Sequence, residues 1–397
     1  MYFEFGLRSS LLLIFFTHLL VYAFLFWKRG LNHQRLSDKL LGTFFFLSSL
    51  FIFPWMSGFA GWYDTQPYRE ILFYTPFIQA LFFGPLLFLY LKSLTNTNYS
   101  FTKKDWLHFL PGSILLLWSF IVFLVDKVIV GHYYLMNGET DPDFDSWYGF
   151  TWSISLLVYL FLAIKYYRQY IIFSEYEFSF ADSASFTWLR NFLYAFSLLA
   201  FLLFSEHILG LFIELHYVRS WYYFLAFACI TYYMAISAYS AKPVSLFKLN
   251  FKPELLLAYQ EPLQITAATQ DQVIQEDQQW MERWKTQLIE LMEKDKVYLD
   301  PELTLTELSR KTGTNPSLLS KVINTCFGQN FNDYINTYRV QETIRLMADE
   351  RYRYLNILVI AYDAGFNSKS TFNRAFKKVT GMIPKIYLEN KKDATVI

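Results

Sequence analysis

The sequence predicts an all-α protein, a seven-helix transmembrane bundle followed by a cytoplasmic unit of two helix-turn-helix motifs in tandem. Three observations carry this. Seven apolar runs fill residues 1–241 and no comparable run follows. The chain is 54% hydrophobic and 17% charged, whereas soluble domains carry about 25% charged residues. Within residues 278–397 one pattern, a short helix, a glycine turn and a second amphipathic helix, occurs twice with its glycines, Gly313 and Gly365, 52 residues apart.

A spanning helix needs about 20 apolar residues, because a core of about 30 Å is crossed at 1.5 Å per residue. Such runs lie at residues 9–27, 40–58, 71–91, 106–125, 147–164, 191–212 and 220–239. The N-terminal stretch lacks the basic start and small-residue cleavage site of a signal peptide, so the first run is expected to be retained. Alternate connections collect Lys28, Arg29, Arg35, Lys39, Lys92, Lys103, Lys104, Lys165, Arg168 and Arg190 on one side. The other side holds only Arg8, Arg69, Lys127 and Arg219, with the acidic stretch NGETDPDFDSW. Lysine and arginine are retained inside, so the N-terminus is expected outside and everything after Ala241 in the cytoplasm. Trp27, Trp62, Trp106, Trp147 and Trp221 fall at run ends, as interfacial belts require.

From Lys242 the composition turns polar and glutamine-rich, and residues 242–277 read as a linker. Trp280, Trp284, Leu288, Leu291 and Met292 then recur at helical spacing. This amphipathic helix opens the last domain, residues 278–397, and offers a face through which two copies could pair as a homodimer.

Thr304 stands three residues before Glu307, the spacing of a capping box. Leu305 and Leu308 form the apolar side of that helix, Gly313 supplies the turn, and Asn315 with Pro316 starts the next helix. Leu319, Val322, Ile323 and Cys326 face inward, which leaves Ser317, Ser320, Lys321 and Asn324 outside. In the second unit Ile357, Ile360, Ala361 and Ala364 mark one helix and Ser368 caps the other. Phe372, Phe376 and Val379 form its buried side, and Lys369, Ser370, Thr371, Asn373 and Arg374 its outward or N-terminal surface. Residues 332–349 hold neither glycine nor proline and read as one connecting helix. Two such units can enter successive major grooves about 34 Å apart. From Trp280 onward 18 lysines and arginines stand against 14 acids, a balance that suits phosphate contact.

These residues carry a resemblance. GFNSKSTFNRAFKKVTGMIPKIY, supported by FGQNFNDYINTYRV, resembles the DNA-binding domain of AraC/XylS-type bacterial transcription regulators over residues 278–390. The whole chain is similar to the membrane-embedded variant of that family, in which a multi-span region precedes the same domain. The resemblance implies a regulator in the bacterial inner membrane with double-stranded DNA as partner. It implies that Ser317, Ser320 and Lys321 of the first reading helix, and Lys369, Ser370, Thr371, Asn373 and Arg374 of the second, meet the duplex.

Ionisable residues inside a span are costly and mark functional sites, so Glu206 and His207, with His18 as a neighbour, are candidates for sensing a signal ligand that the sequence does not identify. Their alternative role is to hydrogen-bond an adjacent span and fix packing. Asp141, Asp143 and Asp145 imitate the start of a calcium loop, but Ser146 stands where its glycine belongs and Trp152 where its glutamate belongs. The last span holds no lysine for a Schiff base. No zinc-protease helix, phosphate loop, nucleophile elbow or kinase set occurs, so no enzyme activity, metal or cofactor is expected. Cys229 and Cys326 form no disulfide framework. The competing reading is a receptor or transporter whose cytoplasmic helices bind a protein, to which Pro54, Pro76 and Pro85 within the spans would be suited.

Overall fold

The computed structural model describes residues 4–136, 138, 140–210, 212, 217–241, 249–260 and 270–393. Among these, regular structure is helical, with only two isolated β-bridges, Asn96 to Asn250 and Phe178 to Thr304. Packing divides the chain into two compact units, Met1–Tyr167 with Thr187–Asn250, and Arg168–Phe186 with Phe251–Ile397.

Six helices are long and apolar enough to cross a membrane: Leu7–Asn32, Leu36–Gly58, Lys103–Val130, Ser146–Glu177, Thr187–Gly210 and Ser220–Ser240. The second is the hub of the first unit, with 72% of its apolar window buried against 11–39% for the others. Its Phe51 packs on Phe224 at 5.0 Å and Phe227 at 4.5 Å and meets Trp152 edge-on at 5.8 Å. Its Phe44 reaches Phe192 and Phe196 at 6.4 and 6.1 Å. Each such pair adds about 0.5–1.5 kcal/mol beyond area burial, so the aromatic content of the sequence knits the bundle together. By contrast Ile114, Leu117, Trp118 and Phe120 of the helix Leu110–Phe123 are exposed, a surface suited to lipid.

The expected third span, residues 71–91, is not one helix. It consists of a helix Tyr68–Tyr74, a non-helical stretch at 75–79, a 3-10 turn Ala80–Phe82 and a helix Phe83–Thr95. Pro76 is the cause: it brings no N–H, and it holds Thr75 extended at φ −102°, ψ 110°. The freed backbone groups find partners, as they must in an apolar setting. Asp143 Oδ2 accepts from the Ile78 N–H at 2.9 Å, and the Tyr148 hydroxyl donates to the Ile78 carbonyl. Asp141 in turn accepts from Asp143 N–H at 3.0 Å and from the Tyr63 hydroxyl at 2.6 Å. The acidic loop that imitates a calcium site thus serves the helix break.

In the second unit the expected connecting helix is found as Phe331–Met347, capped by Asn330, whose Oδ1 accepts from Asp333 N–H at 2.8 Å. Before it lie the helices Pro253–Gln260, Gln270–Glu293, Leu305–Thr312 and Pro316–Phe327; after it lie Ile357–Asp363, Lys369–Thr380 and Pro384–Asp393. Two helices therefore occupy part of the stretch expected as linker, and its residues 242–248 and 261–269 lie outside the described residues. Leu288 and Met292 are fully buried, which commits part of the amphipathic face to the domain's own core; the side chain of Trp280 lies outside the described residues. A second core gathers Val340, Ala361, Phe366, Phe372, Ala375 and Phe376. Val379, expected inside, is 41% exposed, because it closes the last turn beyond that core.

Gly365 has φ +95°, and a Cβ there would lie 2.5 Å from the Tyr298 carbonyl oxygen; Gly381 has φ +74° and open space around it. Left-handed backbone costs an L-residue about 1–2 kcal/mol. Gly381→Ala is expected to cost that amount in thermal unfolding of the solubilised chain and Gly365→Ala clearly more. Equal losses would show that the backbones do not approach so closely at Gly365.

Candidate nucleic-acid interface

The first reading unit is set by local chemistry. Thr304 Oγ1 accepts from Glu307 N–H at 3.1 Å while the Glu307 carboxylate accepts from Thr304 N–H at 3.0 Å, which satisfies two free donors reciprocally. Asn315 Oδ1 accepts from Leu318 N–H at 2.9 Å, and Pro316 occupies the first turn of the next helix. Leu305, Leu308, Leu319, Val322 and Ile323 are buried together with Phe331 and Ile335. Ser317 and Lys321 keep partial exposure, but Ser320 is only 2% exposed. At 100° per residue Ser320 sits well round from Leu319, so the domain core alone does not cover it; the helix Pro253–Gln260 packs against Pro316–Phe327.

In the second unit Ser368 Oγ caps the helix, accepting from Thr371 N–H at 3.2 Å and pairing with the Thr371 hydroxyl at 2.8 Å. Lys369, Ser370, Asn373 and Arg374 are exposed, whereas Thr371 is 1% exposed with its hydroxyl engaged at the cap. Ser320 and Thr371 are therefore withdrawn from the surface on which the sequence pattern sets them. Lys377 and Lys378 extend the positive face, Lys378 lying 2.7 Å from Asp333. Arg374 Nη1 lies 2.9 Å from Asp182 Oδ1, and its Nη2 donates to Asn332 Oδ1 at 3.2 Å.

The acid facing Arg374 comes from a segment that sequence reasoning treats as a plain loop. Residues 168–186 are part of this unit, with Phe178 and Phe180 fully buried. The bond donors of Arg339, a residue with no exposed surface, hold the segment there. Arg339 Nε donates to Tyr298 O at 2.7 Å, Nη1 to Ser179 O at 3.1 Å and Asn336 Oδ1 at 3.2 Å, and Nη2 to Ser179 Oγ at 2.9 Å and Asp300 O at 2.6 Å. Burial pushes the guanidinium down to about 9, which leaves it charged at neutral pH. A usable signal was present in the sequence: the aromatic density of YEFSFADSASF, with Phe178, Phe180 and Phe186, is out of place in a solvated loop.

Of the residues expected to lie within spans, His18 and His207 have different surroundings. His207 packs beside Gly149, Phe150 and Trp152, with ring centroids 5.6 and 6.0 Å from the two aromatic rings. Its Nε2 has no hydrogen-bond partner among the described residues. His18 bonds the Ile14 carbonyl of its own helix at 2.7 Å and meets Tyr232 edge-on at 5.3 Å. The side chain of Glu206 lies outside the described residues.

Residues 308–390 match the family of helix-turn-helix domains. The C-terminal region thus carries the domain expected from its resemblance to the AraC/XylS type. Over 91 residues the chain is 34% identical to an uncharacterized HTH-type transcriptional regulator of Staphylococcus aureus (strain COL), covering 23% of this chain and 12% of that protein. It is 29% identical over 93 residues to the uncharacterized HTH-type transcriptional regulator YtdP of Bacillus subtilis (strain 168), covering 23% and 12% of the two chains. The chain thus spans only about an eighth of the length of the curated relatives it matches. No solved structure matches it.

At the duplex selected by the unmodified protein, Arg374→Ala is expected to weaken binding by about 1–3 kcal/mol and to relax preference at one or two base pairs. Ser320→Ala should leave affinity unchanged, because its hydroxyl is not presented. Titration of full-length protein against matched and single-mismatch duplexes checks both; unaltered specificity in Arg374→Ala would exclude it as a base-reading residue.

Proposed function

We propose that this chain is a membrane-embedded, sequence-specific DNA-binding transcription regulator that couples a signal at its helical bundle to promoter binding. The observation that carries the reading is the union, in one chain, of two capped reading helices whose turn glycines are 52 residues apart and six helices able to cross a bilayer. Lys369, Ser370, Asn373 and Arg374 lead the contact with DNA, and Ser317 and Lys321 assist from the first unit. The broken segment completes a seventh crossing: the 16 residues Ala80–Thr95 rise about 24 Å, and residues 75–79 extend that toward the thickness of the core. An odd number of crossings then takes an outside N-terminus to a cytoplasmic DNA-binding unit in the bacterial inner membrane. His207, half-buried with an unengaged ring nitrogen, is the best placed of the intramembrane residues to respond to a signal.

Two measurements test this. Reporter fusions after Lys39, Lys104 and Ala241 are expected to be cytoplasmic and fusions within residues 138–145 external. Capture of cross-linked chromatin on the intact protein should enrich a recurring DNA sequence from the membrane fraction. An external reporter at Ala241, or recovery of protein partners with no preferred DNA, would overturn the reading.

A further inference from the structure

We propose that the segment joining the helices Ser146–Glu177 and Thr187–Gly210 is an internal competitor for DNA: it is anchored in the DNA-binding unit, and Asp182 occupies Arg374 in place of the duplex. The inference rests on the function proposed above and names how that function is held off.

Anchor and mask are separate pieces of the segment. The anchor is residues 177–180. Phe178 and Phe180 are buried, and Ser179 takes three hydrogen bonds from Arg339 and Asn336, at 3.1, 2.9 and 3.2 Å. The Phe178 carbonyl accepts from Asn332 Nδ2 at 3.0 Å, and Ser179 N–H donates to Leu303 O at 3.2 Å. Glu177 accepts from Thr306 N–H at 3.2 Å and from the Tyr259 hydroxyl at 2.9 Å. A group as costly to bury as a guanidinium is tolerated only when its donors are matched, so the anchor is built to persist.

The mask follows directly. The short helix Ala181–Ala184 lies against the second reading helix, Asp182 pairs with Arg374 at 2.9 Å, and Ser183 Oγ donates to Asn367 Oδ1 at 3.2 Å. The contact engages one carboxylate oxygen, Oδ1, and one guanidinium nitrogen, Nη1; a phosphate or the edge of guanine would draw on that same nitrogen, so Arg374 serves one or the other. The first reading helix carries a second observation of the same kind: Ser320, on the flank of its apolar face, is buried, and Pro253–Gln260 packs on that helix. Both reading helices are packed by other parts of their own unit. Because the masking segment is continuous with two apolar helices, a change at those helices reaches Arg374 through few residues.

The test uses full-length protein in lipid nanodiscs and the duplex it selects from chromatin. Asp182→Asn keeps the shape and removes the charge; since a half-exposed ion pair contributes up to about 1 kcal/mol, binding is expected to tighten two- to fivefold. Ser183→Cys with Asn367→Cys, with Cys229 and Cys326 changed to serine, is expected to oxidise to a disulfide that abolishes duplex binding and to recover on reduction. Failure of the pair to oxidise, undiminished binding by the cross-linked form, or unchanged affinity in Asp182→Asn would each overturn the mask while leaving the regulator reading intact. Absence of any selected duplex in both the parent and Asp182→Asn would overturn the regulator reading itself.

Discussion

One buried guanidinium organises the DNA-binding unit. Arg339 has no exposed surface and, among the described residues, no carboxylate bonded to it; its hydrogen bonds run to Tyr298 O, Asp300 O, Asn336 Oδ1 and both oxygens of Ser179. Stranding such a charge costs about 3–5 kcal/mol, comparable with a large share of a domain's net stability. The arrangement therefore ties three parts of the chain to one point: the stretch before the first reading unit, the connecting helix, and the segment after Glu177. Removing the first or the last of these leaves donors of Arg339 in an apolar interior without acceptors.

The reading helices depend on that point through the connecting helix. Phe331–Met347 carries Arg339 on one side and Val340 on another, so the same rigid element fixes the buried charge and supports the core of the second unit. Asn332, near its start, is shared as well: its Nδ2 donates to the Phe178 carbonyl and its Oδ1 accepts from Arg374. Arg374, proposed to meet the duplex, and the anchoring segment thus converge on one amide side chain, and the position of one is sensitive to the other.

Legibility from the sequence tracks the range of the interaction. Thr304 with Glu307, Asn315 with Pro316, Ser368 with Thr371 and the glycine turns are decided within a few residues, and the helices they start were readable in advance. The apolar helices were readable by length and composition, except where Pro76 breaks the third; the partners that make the break tolerable, Asp143 and Tyr148, are 65 and 70 residues from Ile78. The burial of Ser320 was not readable, because helical periodicity sets it off the apolar face and the helices packed on its own include one some 60 residues earlier in the sequence. Nor was the pairing of Arg374 with Asp182, or of Arg339 with Ser179 across a separation of 160 residues. Periodicity reports which face is apolar; it carries no record of which distant segment covers a polar one.

The energies separate what can switch from what cannot. Opening the anchor would expose Phe178 and Phe180 and strip acceptors from Arg339, a cost of several kcal/mol. Opening the mask breaks a half-exposed ion pair and one hydroxyl contact, about 1–2 kcal/mol in all. Allosteric coupling between sites is commonly about 1–3 kcal/mol, which matches the mask and falls short of the anchor. On the proposed mechanism, a signal of ordinary size would act by shifting residues 181–184 about an anchor that stays in place. The strong contact keeps the segment beside the reading helix, and the weak contact decides whether Arg374 is free to meet a duplex.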